Sequence, residues 1–247
     1  MPTETLSPTT KYALVTGASR GIGYAIAHNL AKEGYHLYLT CRRSKERLSE
    51  IAVHLAAQYH IECIPFTADM GNADDVAQIF TRIDTLDLLV NNAGISYVGL
   101  LHEMSDADWR EIMSTNLDAL FYTCRHAIPL MLQNHRGKII NISSVWGNVG
   151  ASMETAYSAS KGGMNSFTRA LAKELAPSGI QVNAIACGAI DTDMNKSFSP
   201  EDMDALRNEI PADRLGQPEE AAQMVLSLLH APDYLTGQVI TMDGGWT

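Results

Sequence analysis

Between Tyr12 and Glu33 the chain runs from a short apolar stretch into a glycine-rich turn and out into an amphipathic stretch. The apolar stretch is Tyr12-Ala-Leu-Val-Thr16, the turn is Gly17-Ala-Ser-Arg-Gly21-Ile-Gly23, and helical periodicity begins at Ala25-Ile26 and stops near Gly34. Strand, glycine turn and helix in that order are the context that a nucleotide-phosphate site requires. Glycines let the backbone approach a pyrophosphate, and the helix N-terminus offers unpaired N–H groups and the positive end of its dipole. The spacing is G-x-x-x-G-x-G, not the commoner G-x-G-x-x-G, and the turn alone is a weak signal. Its flanks carry the reading, and they make Gly17, Ser19, Arg20, Gly21, Ile22 and Gly23 candidate dinucleotide contacts.

The rest of the chain repeats the alternation. Strands are expected at 36–40, 61–66, 86–90, 138–142, 181–186 and 238–242. Helices are expected at 44–59, 73–83, 109–133, 157–175 and 218–229. Such an order predicts an α/β fold, one Rossmann-type doubly wound parallel sheet with helices on both faces. Residues 1–10 read as a loose leader and 11–247 as a single nucleotide-binding domain. The polar stretch 193–212 lacks a firm period and reads as a flap over a site.

Composition narrows the function. The 247 residues carry a formal net charge of −10, which argues against general binding to nucleic acid or anionic membranes. Four widely spaced cysteines and eight scattered histidines match no metal or redox motif, so no metal site is expected. Without a secretory pattern or a long apolar run, a cytoplasmic protein is expected.

Open parallel sheets bind ligands at the C-terminal ends of their strands, and three such ends carry candidates. After the second strand comes Cys41-Arg42-Arg43, where dinucleotide sites usually place an acid for the adenine ribose. A carboxylate would repel a 2′-phosphate and an arginine grips one through paired hydrogen bonds. Arg42, with help from Arg20, therefore points to NADP(H) over NAD(H), while one of Arg42 and Arg43 is a solvated helix start. Asp69 and Met70 follow the third strand, where a side chain can meet an adenine ring. Asn92, Ala93 and Gly94 follow the fourth, and the asparagines there serve either turn hydrogen bonds or the cofactor.

Tyr157 and Lys161 lie four residues apart and share one helix face. An ammonium beside a phenol favours phenolate, which suits proton exchange with a carbonyl or alcohol oxygen. As a pair alone they also fit an ordinary exposed helix face. Asn116, inside an expected helix, is a poor helix former and alone reads as a buried hydrogen-bonding group.

Together these stretches resemble the short-chain dehydrogenase/reductase family. Thr16-Gly-Ala-Ser-Arg-Gly-Ile-Gly23, Asn91-Asn-Ala-Gly94, Asn116, Ser144, Tyr157-x-x-x-Lys161 and Asp243-Gly-Gly245 occur in family order and spacing across essentially the whole chain after the leader. The resemblance implies that Tyr157 is the general acid/base and that Ser144 hydrogen-bonds the substrate oxygen. It further implies that Lys161 contacts the nicotinamide ribose and lowers the tyrosine pKa, and that Asn116 holds a water on the proton path. Ile190 and Thr192 are expected at the carboxamide, and Cys187, standing where the family commonly has proline, is expected to loosen its turn. Pairing through the two long helices into a homotetramer is the family habit.

Two substrate classes compete within the resemblance. The Arg20 fingerprint, Ile190-Asp-Thr-Asp-Met194 and Arg214-Leu-Gly-Gln-Pro-Glu219 are similar to bacterial 3-oxoacyl-acyl-carrier-protein reductases. In that group arginines dock the acidic carrier. Here His135 and Ser178 stand at the matching positions, with Arg136, Lys138 and Lys173 as possible substitutes. The run Asn141 to Glu154 followed by Tyr157-Ser-Ala-Ser-Lys161 looks like the subgroup that reduces a 5-aminopentanone group on elongation factor P. There Trp146 and Glu154 would line the pocket, Glu154 pairing with an ammonium; otherwise Trp146 is packing and Glu154 a solvated loop residue. A non-catalytic dinucleotide-binding subunit is the reading from another class, and it predicts a broken tetrad.

Overall fold

The computed structural model describes residues 10–195 and 199–247. All but one residue of the expected leader, and residues 196–198 of the expected flap, lie outside that description. Seven strands form one wholly parallel sheet: β1 (Tyr12–Val15), β2 (His36–Cys41), β3 (Cys63–Thr67), β4 (Leu88–Asn91), β5 (Gly137–Ser144), β6 (Ile180–Cys187) and β7 (Val239–Met242). Their order across the sheet is β3-β2-β1-β4-β5-β6-β7. The order reverses between β1 and β4, and the crevice at such a switch point is where open parallel sheets take their ligands.

The helices are α1 (Gly21–Lys32), α2 (Lys45–Tyr59), α3 (Ala73–Phe80), α4 (Asp106–Met113), α5 (Ala119–Gln133), α6 (Trp146–Val149), α7 (Thr155–Leu175), α8 (Pro200–Glu209) and α9 (Pro218–Leu229). Both faces of the sheet are covered, and strand residues alternate between two apolar layers. Ala13, Val15, Leu37, Leu39, Val90 and Ile185 face one layer with α1 and α9. Leu14, Tyr38, Leu89, Ile139 and Val182 face the other, with α3, α5 and α7.

A buried polar chain crosses the second layer. Asn91 donates to Asn141 across the β4–β5 pair at 3.0 Å, Asn141 donates to Thr168 of α7 at 2.8 Å, and Thr123 of α5 donates to Asn91 at 2.7 Å. Every polar atom in it that leaves water finds a partner, which is the condition for tolerating such groups in a core.

Two expectations are corrected. The single helix expected over 109–133 is interrupted by a π turn at Ser114–Asp118, because apolar spacing does not register one inserted residue. Within 193–212 the chain forms a short 3₁₀ turn at Asp193–Asn195 and the helix α8. That helix buries no side chain, so it carries no apolar stripe to detect. Its start is nevertheless locally specified, by Pro200 in the first turn and a reciprocal Ser199–Asp202 capping box. Among the described residues no helix is long and apolar enough to cross a membrane.

Candidate active site

The glycine turn is shaped by close approach. Gly17 and Gly21 have φ of 67° and 53°, the left-handed region that glycine adopts without penalty. A Cβ on Gly23 would lie 2.3 Å from the Gly17 carbonyl oxygen and 2.5 Å from Asn92 Nδ2. Asn92 ties the turn to the end of β4, donating to the carbonyls of Thr16 at 2.9 Å and Gly17 at 3.1 Å. Its side chain is thereby committed to shaping the turn, while Asn91 belongs to the buried chain beneath. No side chain caps the N-terminus of α1, so its first N–H groups point at the crevice unclaimed. Together the open helix end and the absent Cβ atoms form a cradle that fits a dinucleotide's pyrophosphate.

Around the cradle the other expected contacts fall into two groups. Thr192 packs its methyl against Gly21, 3.4 Å from where a Cβ would stand, and Ile190 is buried and bridges to Gly216. Ser19 is buried, and Arg20 reaches outward to within 3.7 Å of Asp193. Met70 is buried in the core, its sulfur accepting from Thr40, which leaves Asp69 as the more accessible of that pair. Arg42 lies between two carboxylates, 2.9 Å from Asp69 and 2.8 Å from Glu111 of α4.

The four residues expected at the chemical centre converge from β5, the π turn and α7. Tyr157 is buried, and the Ser144 hydroxyl is the neighbour that opposes the effect of that burial on its phenol. Lys161 Nζ stands 5.7 Å from the centre of the Tyr157 ring and donates to the Ile142 carbonyl at 2.8 Å. Asn116 accepts from Ile95 N–H and donates to the Ile95 carbonyl, each at 2.9 Å, and also donates to Ser160 at 3.1 Å. Both ends of its side chain are thus spent on pinning the loop after β4. A Cβ on Gly94 would stand 3.3 Å from Asn116 Oδ1 and 3.6 Å from Lys161 Nζ, so Ala93-Gly94 closes over the centre.

The electrostatics differ from the expectation drawn from spacing. Burial pushes the Tyr157 phenol above its ordinary range, the Ser144 hydrogen bond opposes this, and the Glu154 carboxylate adds to it. Burial also lowers Lys161 from 10.5 to about 8. Desolvation is the largest influence on both groups in this arrangement. The tyrosine therefore holds its proton at neutral pH, and it is the lysine whose charge state lies close to neutrality.

Lys161 has a consequence for stability. Between about pH 8 and 10.5 the unfolded chain carries a proton on this lysine that the folded chain has lost, so its contribution to stability rises with pH through that window. Lys161→Met removes the contribution. The gap in urea midpoint between wild type and variant should move in favour of the wild type from about pH 7.5 to about pH 9.5. A gap that stays constant would rule out the depressed ammonium.

Cys187 does not loosen its turn. Its strand pairs with β5 at Ser144 and with β7 at Met242, and its carbonyl accepts from Val145 N–H at 2.9 Å. Ladder bonds on both sides supply the restraint that a ring would give. Burial raises the thiol to about 12, with Lys161 opposing.

The Glu154 carboxylate is near enough to act on Tyr157, and two tryptophans lie in its neighbourhood. Glu154 is half-buried, and burial raises its carboxyl, with Trp146 of α6 opposing. Trp246 meets Trp146 edge-on with ring centres 4.7 Å apart. The turn carrying Trp246 is fixed by Asp243, which accepts from the N–H groups of Gly245 at 2.9 Å and Thr247 at 2.8 Å. Neither Trp246 nor Glu111 was marked by sequence spacing, since each meets its partner only through tertiary contact. Asp243-Gly-Gly245 was the available signal for the first.

A short chain dehydrogenase family model matches residues 11–203. The chain is 38% identical over 238 residues to the uncharacterized oxidoreductase YmfI of Bacillus subtilis (strain 168), covering 96% of this chain and 98% of that protein. It is 39% identical over 240 residues to the 3-oxoacyl-acyl-carrier-protein reductase FabG of Aquifex aeolicus, covering 95% and 96%. The same identity holds over 241 residues with FabG of Staphylococcus aureus (strain Mu50), covering 96% and 98%. With a matching family model, a complete Ser144–Tyr157–Lys161–Asn116 constellation and relatives that align end to end, the chain belongs to the short-chain dehydrogenase family.

Proposed function

We propose that this chain is an NADPH-dependent reductase that converts a ketone into a secondary alcohol, with Tyr157 as the proton donor. The observation that carries the reading is the buried group of Tyr157, Ser144 and Lys161, with the Lys161 ammonium nitrogen 5.7 Å from the centre of the Tyr157 ring, at the strand ends that also hold the glycine cradle. In this reading the cradle from Gly17 to Gly23 holds the pyrophosphate, Arg42 grips the 2′-phosphate, and Ile190 and Thr192 line the nicotinamide end. The bound cofactor supplies the hydride to the carbonyl carbon.

The chain's own residues supply orientation and a proton. Ser144 and Tyr157 hold the carbonyl oxygen between two hydroxyl groups. Burial keeps the phenol in its protonated form at neutral pH, and it gives its proton as the substrate oxygen, gaining charge, becomes the stronger base. Lys161, near its own transition at neutral pH, stabilises the phenolate left behind and returns a proton towards it. The Asn116 side chain is occupied by Ile95 and Ser160, so its part in this reading is to hold the loop after β4 in place.

The acidic neighbour of Tyr157 favours a ketone carrying an ammonium, such as the 5-aminopentanone group on elongation factor P. Beside a neutral acyl chain the half-buried Glu154 carboxylate would have Trp146 as its compensating partner and no opposite charge. An ammonium pairs with Glu154 and lies against Trp146 and Trp246, where cations are attracted to ring faces. Two of the three basic residues available for an acidic carrier are already engaged. Arg136 pairs with Asp87 at 3.0 Å, and Lys138 donates to the Ala231 carbonyl at 3.2 Å. The second reading, a 3-oxoacyl thioester on acyl carrier protein, is favoured by the names of the FabG relatives.

NADPH oxidation measured in parallel with both substrates separates the readings. Glu154→Gln should lower kcat/KM for the amino ketone about 10- to 100-fold, the worth of a hydrogen bond to a charged group. Its effect on the thioester should stay within about threefold. Turnover of the thioester alone would overturn the amino-ketone reading. Failure of both substrates alongside retained NADPH binding would favour a non-catalytic subunit. Exposed Phe121 and Leu132 on α5 support association of copies along that helix, with a homotetramer as the expected state.

A further inference from the structure

Arg42, the residue on which selection of NADP(H) depends in the reading above, is already occupied. Its Nε lies 2.9 Å from Asp69 and its Nη1 2.8 Å from Glu111. The two carboxylates are held differently. Asp69 sits in a tight turn after β3, its Oδ1 accepting from Gly71 N–H at 3.0 Å and its own N–H donating to Asp75 at 2.8 Å. The Glu111 carboxylate has Arg42 as its one recorded partner among the described residues, and it comes from α4, 69 positions away in sequence. It lines an open cavity of about 660 Å³ together with Arg42, Arg43, Trp109, Arg110 and Ser114.

We propose that Glu111 is a specificity-determining residue that occupies the 2′-phosphate position on Arg42, so that a phosphorylated cofactor binds by displacing it. Asp69 takes Nε and Glu111 takes Nη1 of the guanidinium, so a phosphate gripping the terminal nitrogens through paired hydrogen bonds must share Nη1 with Glu111, and the two anions repel each other at that distance. Glu111 is the partner able to yield: it is half-exposed and carried on a long side chain, whereas Asp69 is anchored by its turn. A cofactor with a free 2′-hydroxyl leaves the Arg42–Glu111 pair in place. Glu111 therefore weakens NADP(H) binding and leaves NAD(H) binding nearly untouched, which narrows the preference that Arg42 alone would give.

The inference rests on the Arg42 reading, and the experiment keeps the two apart. Dissociation constants for NADPH and NADH are measured by titrating the cofactor's own fluorescence with wild type, Glu111→Gln, Asp118→Asn and Arg42→Ala. Asp118 lines the same cavity and has no recorded pairing with Arg42, so it reports the effect of removing a nearby negative charge. Glu111→Gln should tighten NADPH about fivefold, the worth of an exposed ion pair, and change NADH less than about twofold. Asp118→Asn should do less to NADPH than Glu111→Gln. Equal effects of the two neutralising variants, or no tightening of NADPH by Glu111→Gln, would overturn the role of Glu111. In either case a lost NADPH preference in Arg42→Ala would leave the Arg42 reading standing. If Arg42→Ala retains the preference, both ideas fall together.

Discussion

Tyr157→Phe should lower kcat for ketone reduction by about a thousandfold while leaving NADPH affinity within about threefold of wild type. The phenyl ring fills the same buried space, so the fold persists. What is lost is the hydroxyl at the centre that burial keeps protonated at neutral pH. In the proposed mechanism Ser144 would then hold the substrate oxygen alone, with no acid to neutralise the charge that develops. Single-turnover measurement at saturating NADPH reads the chemical step directly. A loss smaller than about tenfold would mean that the proton comes from elsewhere and would sink the assignment of Tyr157.

Gly23→Ala should act as severely by a different route. The backbone there permits alanine, but the added carbon would stand 2.3 Å from the Gly17 carbonyl oxygen and 2.5 Å from Asn92 Nδ2. The first is main chain and cannot swing aside, and the second is the clamp that holds the turn to β4. Opening the turn should cost about 1–3 kcal/mol of stability and weaken NADPH binding about 100-fold through misplacement of the cradle. Gly162→Ala is the matched comparison, because its Cβ would meet only the Gly147 carbonyl at 3.5 Å, an ordinary contact. Thermal unfolding and NADPH titration of both variants test the pair. Equal behaviour would show that the close approach at Gly23 has no bearing on binding.

How far the chain could be read before its structure was known depends on the range of each interaction. Strands and helices buried against the sheet carry an apolar period, so β1 to β7 and α7 lie close to where spacing puts them. The Tyr157–Lys161 relation is also local, one turn of one helix. The departures have local causes of another kind. The π turn at Ser114–Asp118 adds one residue without altering composition, and α8 buries nothing, so its only trace was the Ser199–Asp202 cap. The direction of the pKa shifts was illegible because it depends on depth. Spacing brings an ammonium near a phenol, but only packing says that both are dry. Glu111 on Arg42 and Trp246 on Trp146 join parts of the chain that meet only after the sheet has assembled.

The buried line of Asn91, Asn141, Thr168 and Thr123 has a role beyond keeping its own atoms satisfied. A parallel sheet with apolar side chains on both faces is nearly indifferent to a strand sliding past its neighbour by one step, since oil meets oil either way. A polar pair that matches at one offset alone turns that indifference into a choice, because every other alignment strands a dry amide. Here the choice fixes the height of β4 against β5. Asn92 follows the last residue of β4 and Ser144 is the last residue of β5, one bracing the cradle and one flanking the phenol. The chain of amides and hydroxyls thus works as an indexing pin below the candidate site, setting the level of the glycine cradle against that of the phenol.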